Sequence, residues 1–222
     1  MTLLQLLTLV ANRLDDTKEP YLWSDEELTS YANQRINELC NTIPIFIDTS
    51  TLAITVIPII AGTRVYSTDP RIIYINTVLL ASKPWPLQRI IATELNDSMA
   101  GWRASSNTPS CFLTDFQKDT ITLYPNPIVD DTLTLEVTRY PLSDLNYLLA
   151  ETTSPEIPTH FHEFLVPGMT SLAYRKADAE TENLPRSKAD EIEWLSNIEK
   201  MKCFYLNLNY SPVIAAPHRA FM

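Results

Sequence analysis

A capped helix start at residues 23–28 constrains the fold more than any other stretch of the sequence. Ser24 is placed to accept a hydrogen bond from the backbone N–H of Glu27, whose carboxylate can accept one from the N–H of Ser24; together these make a capping box. Trp23 and Leu28 stand at the positions of a hydrophobic staple. An apolar stripe at spacings of three and four then follows: Leu28, Tyr31, Ala32, Ile36, Leu39 and Cys40. The pattern predicts an amphipathic helix over Asp25–Cys40.

Three further segments show a helical pattern. Leu3–Leu14 has a possible capping box from Thr2 and Gln5. Helices are also predicted near His160–Ala179, where Pro167 should kink or interrupt the helix, and over Ser187–Lys202. In the last of these the side chains expected to face inward are Ile192, Leu195, Ile198 and Met201. Because each helix has one apolar face, the simplest expectation is a bundle.

The middle of the chain has the composition of β-strands. The predicted strands are Leu52–Ile60, Arg71–Leu80, Ser110–Asp115, Ile121–Tyr124 and Leu133–Tyr140, which are rich in Ile, Val, Thr and Tyr and bounded by turn residues. Ala92–Met99 is predicted to be a short helix, and the Pro-rich link from Tyr124 to Thr132 a hairpin connection. Short strands at this spacing favour a small antiparallel barrel or sandwich.

The expected class is therefore α+β, with a β domain inserted into a helical bundle. The predicted domains are a bundle of residues 1–44 and 157–203, a β insertion of residues 45–156, and an extended C-terminal arm of residues 204–222. Apolar residues on an irregular arm indicate that it docks, either on its own domain or on a neighbour. The candidate binding residues are Phe204, Tyr205, Tyr210, Pro212, Val213, Ile214, Arg219 and Phe221.

Composition narrows the possible partners. The 222 residues have a formal net charge of −10, so the surface as a whole should repel nucleic acid and anionic membranes. Three widely separated cysteines favour reduced thiols over a disulfide framework or a zinc site. The apolar start lacks the features of a signal peptide, and no run approaches the roughly 20 apolar residues of a membrane span. These features predict a soluble protein made in a cytoplasm.

The search for chemistry finds no convincing site. Scattered glycines exclude a phosphate-binding loop, and there is no nucleophile elbow. His160 and His162 would point to different faces of a helix, so they are interpreted as a solvated helix start. Asp178, Glu180 and Glu182 are interpreted as a solvated face, since only the first and last share a helical face. No catalytic, metal or cofactor residues are predicted, and an enzyme is not expected.

Several blocks, in the same order, resemble the head–tail adaptor (connector) proteins of tailed bacteriophages. They are Glu19–Leu28, Asp69–Ile75 before Val78–Leu80, Leu123–Pro127 with Leu133–Pro141, and Ile157–His162 leading into Ala173–Glu182. The glycine usual after the Ile-Ile-Tyr strand is replaced by Ala81-Ser82, and the arm after Cys203 is outside the resemblance. The resemblance spans most of residues 1–202.

The resemblance implies a structural virion protein at the neck. Such adaptors form a homo-oligomeric ring, commonly of twelve subunits, beneath the portal protein; the ring extends the DNA channel and supports tail or nozzle proteins. DNA would pass through without specific binding, and no cofactor or membrane is implied. The alternative is a tail or baseplate component with a receptor- or carbohydrate-binding β module. A metal-dependent hydrolase is a third class, for which no site is found.

Overall fold

The computed structural model describes residues 1–99, 101–176 and 181–209, with the backbone alone for residues 206–209. It has both helices and sheets, which confirms the α+β class. The chain divides into two compact units. The helical unit contains Met1–Ile43 and the described residues from Asp144 onward, and the β unit contains Pro44–Ser143.

Four helices form the helical unit: α1 (Leu3–Leu14), α2 (Asp25–Thr42), α5 (Leu165–Ala173) and α6 (Leu184–Asn209). Short 3₁₀ helices at Tyr147–Leu149 and Thr159–Phe164 complete it in the described residues. Helix α5 contacts the other three helices, and its side chains are almost all buried. The predicted bundle is therefore present, with its shortest helix at the centre.

The helix starts follow the predicted capping signals with one difference. Thr2 and Gln5 form the complete capping box of α1. Ser24 accepts from the N–H of Glu27 at 3.2 Å, but the Glu27 carboxylate does not complete the second box. Instead it accepts from the Tyr31 hydroxyl at 2.8 Å and from the Lys176 ammonium group at 2.9 Å. A tertiary ion pair has thus replaced a local hydrogen bond.

The C-terminal helices differ from the prediction in their bounds. The segment after Pro158 starts as a 3₁₀ helix, and α5 ends at Ala173. Pro167 lies in the first turn of α5 and Pro185 in the first turn of α6, where a missing N–H is tolerated. Neither proline interrupts its helix. Helix α6 continues to Asn209, which is beyond the predicted start of the arm.

Helix α6 also turns a different face to the core than predicted. Trp194, Ile198 and Met201 are buried, but Ile192 is 70% exposed and Leu195 is 51% exposed. At 100° per residue, Ile192 lies about opposite the buried face that is centred near Trp194. Trp194 lies four residues before Ile198, on the same face of the helix, and it occupies the buried position that was predicted for Ile192 and Leu195.

The β unit consists of two sheets and two short helices. The strands are β1 (Phe46–Asp48), β2 (Val56–Ile59), β3 (Val65–Ser67), β4 (Ile72–Leu80), β5 (Gln88–Arg89), β6 (Cys111–Leu113), β7 (Thr120–Tyr124) and β8 (Asp131–Arg139). The helices are α3 (Leu52–Thr55) and α4 (Ala92–Ser98), and a 3₁₀ turn spans Trp102–Ala104. The predicted helix near residues 92–99 is confirmed. Strand was predicted for Leu52–Thr55, but this segment is helical.

In the first sheet β8 pairs with β4 on one side and with β1 and β2 on the other; the second sheet has the order β3-β7-β6-β5. Neither sheet closes into a barrel in the described residues. One hydrophobic cluster takes side chains from both sheets, including Val78, Leu135, Ile121 and Leu123. The pairs are antiparallel except β5–β6, which is parallel. The sandwich alternative therefore describes the unit better than the barrel.

Two connections differ from the sequence interpretation. Strands β7 and β8 belong to different sheets, so the link between them crosses from one sheet to the other and is not a hairpin connection. Residues 144–156, which were assigned to the β insertion, group with the helices. The N–H groups of Leu3 and Leu4 donate to the carbonyls of Thr153 and Ala150, which fixes this segment against the start of α1.

Candidate interaction surfaces

A groove of about 390 Å³ lies beside α1 and the start of α2. Its walls come from α1 and from the chain leading into α2: Leu4, Leu7, Thr8, Ala11, Asn12, Asp16, Thr17, Tyr21, Trp23, Ser24, Asp25 and Leu28. Leu4 and Tyr21 are exposed at its edge, whereas Leu7, Trp23 and Leu28 are buried in its floor. The groove therefore offers an apolar floor to another surface.

The chain entering α2, which forms one wall of the groove, is held by several hydrogen bonds and ring contacts. The Asp16 carboxylate accepts the N–H groups of Leu22 and Trp23 at 3.0 to 3.1 Å. The Trp23 indole N–H donates to the Ala173 carbonyl at 3.2 Å, and its ring meets Tyr174 edge to face. The predicted staple residue is thus an anchor between the groove and α5.

A buried arginine ties α2 to α5 and α6. Arg35 is 4% exposed; it donates to the Gly168 carbonyl at 2.9 Å and pairs with Glu38 at 2.6 Å and with Glu191. Burial raises the pKa of Glu191, but hydrogen bonds from Ser171 and Arg35 outweigh burial and lower it overall. Gly168 leaves room for this contact, since a Cβ there would lie 2.9 Å from the Trp194 ring.

A second ionic cluster joins α1 to α6. Arg13 pairs with Asp190 at 2.6 Å and Glu193 at 2.5 Å, and Asp190 also accepts the Thr170 hydroxyl at 2.5 Å. The hydrogen bond from Arg13 lowers the pKa of Glu193. These contacts place α6 on the Arg13 side of α1. The Leu4–Thr8–Ala11 side of α1, about 180° away around the helix, forms the groove.

In the β unit, several exposed apolar side chains lie in the loops at one end of the first sheet. Backbone hydrogen bonds bring three loops together there: Gly62 N–H to the Pro127 carbonyl, and Ala81 N–H to the Thr132 carbonyl. We call these exposed residues the apolar tip: Ile60, Trp85, Ile128 and Val129, with Trp85 76% exposed. Such a cluster is typical of a protein contact site.

The opposite end of this sheet carries a buried ion pair. Asp48 accepts from Arg139 at 2.6 Å, and both side chains are almost fully buried. Burial raises the pKa of the Asp48 carboxyl. Hydrogen bonds from Thr51 and Arg139 outweigh burial, so the net pKa lies well below its ordinary value. This pair holds β1 to β8 and serves the stability of the sheet.

The predicted arm residues fall into two groups. Phe204 and Tyr205 lie on α6, and their rings contact Phe161 at centroid distances of 5.4 and 6.3 Å. These two therefore pack on their own unit, although Phe204 remains 41% exposed. The others lie outside the described residues: Tyr210, Pro212, Val213, Ile214, Arg219 and Phe221.

The histidine interpretation requires a correction. His160 is exposed, but His162 is buried, with Nε2 2.8 Å from the Ile157 carbonyl and Nδ1 3.2 Å from the Met1 carbonyl. It belongs to the packing between the start of α1 and the 3₁₀ segment. Asp178 and Glu180 lie outside the described residues. Within residues 1–99, 101–176 and 181–209 there is no cluster of His, Cys, Asp and Glu that could hold a metal ion.

The sequence analysis identified most of the helices and strands, but it did not identify the residues that form the surfaces just described. Arg35 was passed over because a charged residue between apolar positions is normally solvated. Trp194 could have been found, since it lies four residues before the predicted inward residue Ile198. With Trp194 on the buried face of α6, the apolar side chains of Ile192 and Leu195 are left outside that face.

The exposed apolar side chains of the helical unit and of the two-sheet unit are typical of a protein that contacts other proteins. The family model for SU10 adaptor protein matches residues 1–198. The chain belongs to this family of phage adaptor proteins, and it is a structural component of the virion that interacts with phage head and tail proteins. No curated protein matches the chain. No helix in the described part is both long and apolar enough to span a membrane.

Proposed function

We propose that this chain is a head–tail adaptor that forms a ring, commonly of twelve copies, beneath the portal vertex. The ring extends the DNA channel at the neck and provides the platform on which tail or nozzle proteins assemble. The family match over residues 1–198 is the observation that carries the proposal. It favours an adaptor over the alternative of a receptor- or carbohydrate-binding tail component.

Charge supports a role around DNA without specific binding. Residues 200–222 contain three basic and no acidic side chains, so the rest of the chain carries 14 basic against 27 acidic residues. A channel lined by such a body repels the phosphate backbone, and DNA can slide through it without being held. The C-terminal segment, which has the opposite charge balance, is suited to an acidic protein surface.

We infer that residues 210–222 form a docking arm for the portal protein or a neighbouring adaptor. Tyr210, Val213, Ile214 and Phe221 supply apolar anchors, Arg219 a positive charge, and Pro212 lowers the entropy lost on docking. Residues 204–209 lie on α6, and Phe204 and Tyr205 pack on their own unit, so we restrict the proposed docking segment to residues 210–222.

The test is the mass of the assembly. The purified chain alone and the chain mixed with the portal protein of the same phage would be compared by native mass spectrometry and electron microscopy. We expect a monomer alone and a ring bound to the portal when both are present. A stable dimer that ignores the portal protein would contradict the proposed function.

A further inference from the structure

We propose that successive copies of this chain join head to tail, with the outward face of α6 in one copy seated in the α1–α2 groove of the next. This inference rests on the proposed ring and names the surfaces that build it. The outward face consists of Lys188, Ile192, Leu195 and Glu199, which follow one another at spacings of four, three and four, with the positive charge at one end and the negative charge at the other. Its partner is a second copy of this chain.

Both surfaces are apolar. Ile192 and Leu195 project from α6 on the side away from Trp194, and each is more than half exposed. The groove has a buried apolar floor made by Leu7 and Leu28 and a volume of about 390 Å³. Such a volume lies in the range of about 300 to 1,000 Å³ that protein pockets use for apolar ligands.

Charge gives the contact a direction. Lys188 is exposed one turn before Ile192 on α6, and Asp25 is exposed in the first turn of α2 at the rim of the groove. Seating the two apolar side chains therefore leaves a positive charge at one end of the face to meet a negative charge at one end of the groove. Opposite charges at the rim select one orientation and speed the encounter.

The two proposed surfaces are different parts of the helical unit. Arg13 holds α6 on one side of α1, and the groove lies on the other side of the same helix. A surface that binds a different surface of the next copy makes a heterologous contact, which gives a ring when the rotation between copies closes and an open filament when it does not. A contact built on two apolar side chains and one charge pair would be smaller than a stable interface of about 1,200 to 2,000 Å², which fits subunits that stay separate until a portal template gathers them.

Paired cysteines test the contact directly. In a background with Cys111→Ser and Cys203→Ser, Ile192→Cys is combined with Thr8→Cys, whose position lies on the groove wall. Assembled on the portal protein and oxidised, the double variant should give a covalent ladder of chains. Each single variant, the matched control, should give no ladder.

Charge reversal provides the second measurement. Lys188→Glu alone and Asp25→Lys alone should each reduce ring formation on the portal at least tenfold, while the combination of both restores it. Ile192→Asp with Leu195→Asp should abolish the ring without lowering the thermal midpoint of the subunit. Leu148→Asp, at an equally exposed leucine of the same unit, is the matched control and should leave the ring unchanged.

The outcomes separate the two proposals. A ring of unchanged mass that gives no ladder and tolerates the charge reversals would overturn the head-to-tail contact and leave the adaptor function standing. Failure of the wild-type chain to assemble with the portal protein under any condition would overturn the proposed function, and the contact with it.

Discussion

Arg35 shows how one side chain can set the arrangement of a whole helical unit. Its guanidinium group reaches the Gly168 carbonyl on α5 and Glu191 on α6 from a position on α2. A buried charge is tolerated only when it is paired and hydrogen-bonded, and here every direction of the guanidinium fork finds an acceptor. The residue therefore specifies how three helices meet.

Arg35→Met is expected to destabilise the chain by about 3 to 5 kcal/mol, because Glu191 loses its buried partner. The free energy of unfolding from chemical denaturation measures this. Arg175→Met is the matched control, since Arg175 contacts the same carboxylate from a half-exposed position and its loss should cost less than about 1 kcal/mol. Equal losses of unfolding free energy in the two variants would show that the burial of Arg35 does not add to its contribution to stability.

The pKa of Asp48 predicts how stability changes with pH. Because the folded pKa lies below the ordinary value of about 3.9, the carboxylate contributes stability above that pH and loses it as the pH falls toward the folded pKa. Asp48→Asn should lower the stability at pH 7 by about 3 kcal/mol and flatten its fall below pH 4. Thermal melts between pH 7 and pH 2.5 check this.

Asp97→Asn is the control for that comparison, because Asp97 is exposed on α4. It should leave both the stability at pH 7 and the slope below pH 4 close to those of the wild type. A slope for Asp48→Asn as steep as that of the wild type would mean that other carboxylates govern the acid transition.

At the scale of single elements, local sequence signals predicted which helices exist better than they predicted where each helix or strand begins and ends. The caps at Thr2 and Ser24 placed α1 and α2 because a capping residue acts within one turn. Leu52–Thr55 was predicted as strand from its composition, but the N–H groups of Ile54 and Thr55 donate to the Thr51 carbonyl and close a helical turn. Sheet membership of β7 and β8 depends on distant pairing, which the sequence does not display.

The Trp23 anchor belongs to this scale because it joins α2 to the end of α5. Trp23→Ala should cost about 3 kcal/mol, since a buried ring and its contact with Tyr174 are lost. Trp23→Phe is the control: it keeps most of the ring and loses the hydrogen bond to the Ala173 carbonyl, for about 1 kcal/mol. A thermal midpoint unmoved by Trp23→Ala would contradict this account of the core.

At the scale of the whole molecule, the chain forms two compact units, each with its own buried side chains. The helical unit stops in sequence at Ile43 and resumes at Asp144, so the β unit is an insertion in the sequence of the helical unit. An insertion was inferred from the sequence because the apolar period changes near residue 45 and changes back before Pro158. The sequence interpretation placed both Ile192 and the buried Ile198 on the inward face because it followed spacings of three, and such a series drifts around a helix with 3.6 residues per turn.

The proposed docking segment, residues 210–222, can be separated from α6 by two truncations. Truncation after Asn209 should leave the thermal midpoint unchanged and abolish stable attachment to the portal protein, because it removes only the apolar, non-acidic segment of residues 210–222. Truncation after Cys203 should also lower the midpoint, since it removes the rings of Phe204 and Tyr205 from their contact with Phe161. Differential scanning calorimetry and co-sedimentation with the portal measure the two effects.

The two truncations separate packing from docking. If both variants lose attachment but only the shorter one loses stability, residues 204–205 belong to the helical unit and the arm begins after α6. Attachment that survives the truncation after Asn209 would overturn the arm as a docking element. A chain of 13 residues reaches at most roughly 45 Å when fully stretched, which is enough to contact a neighbouring subunit in the proposed ring.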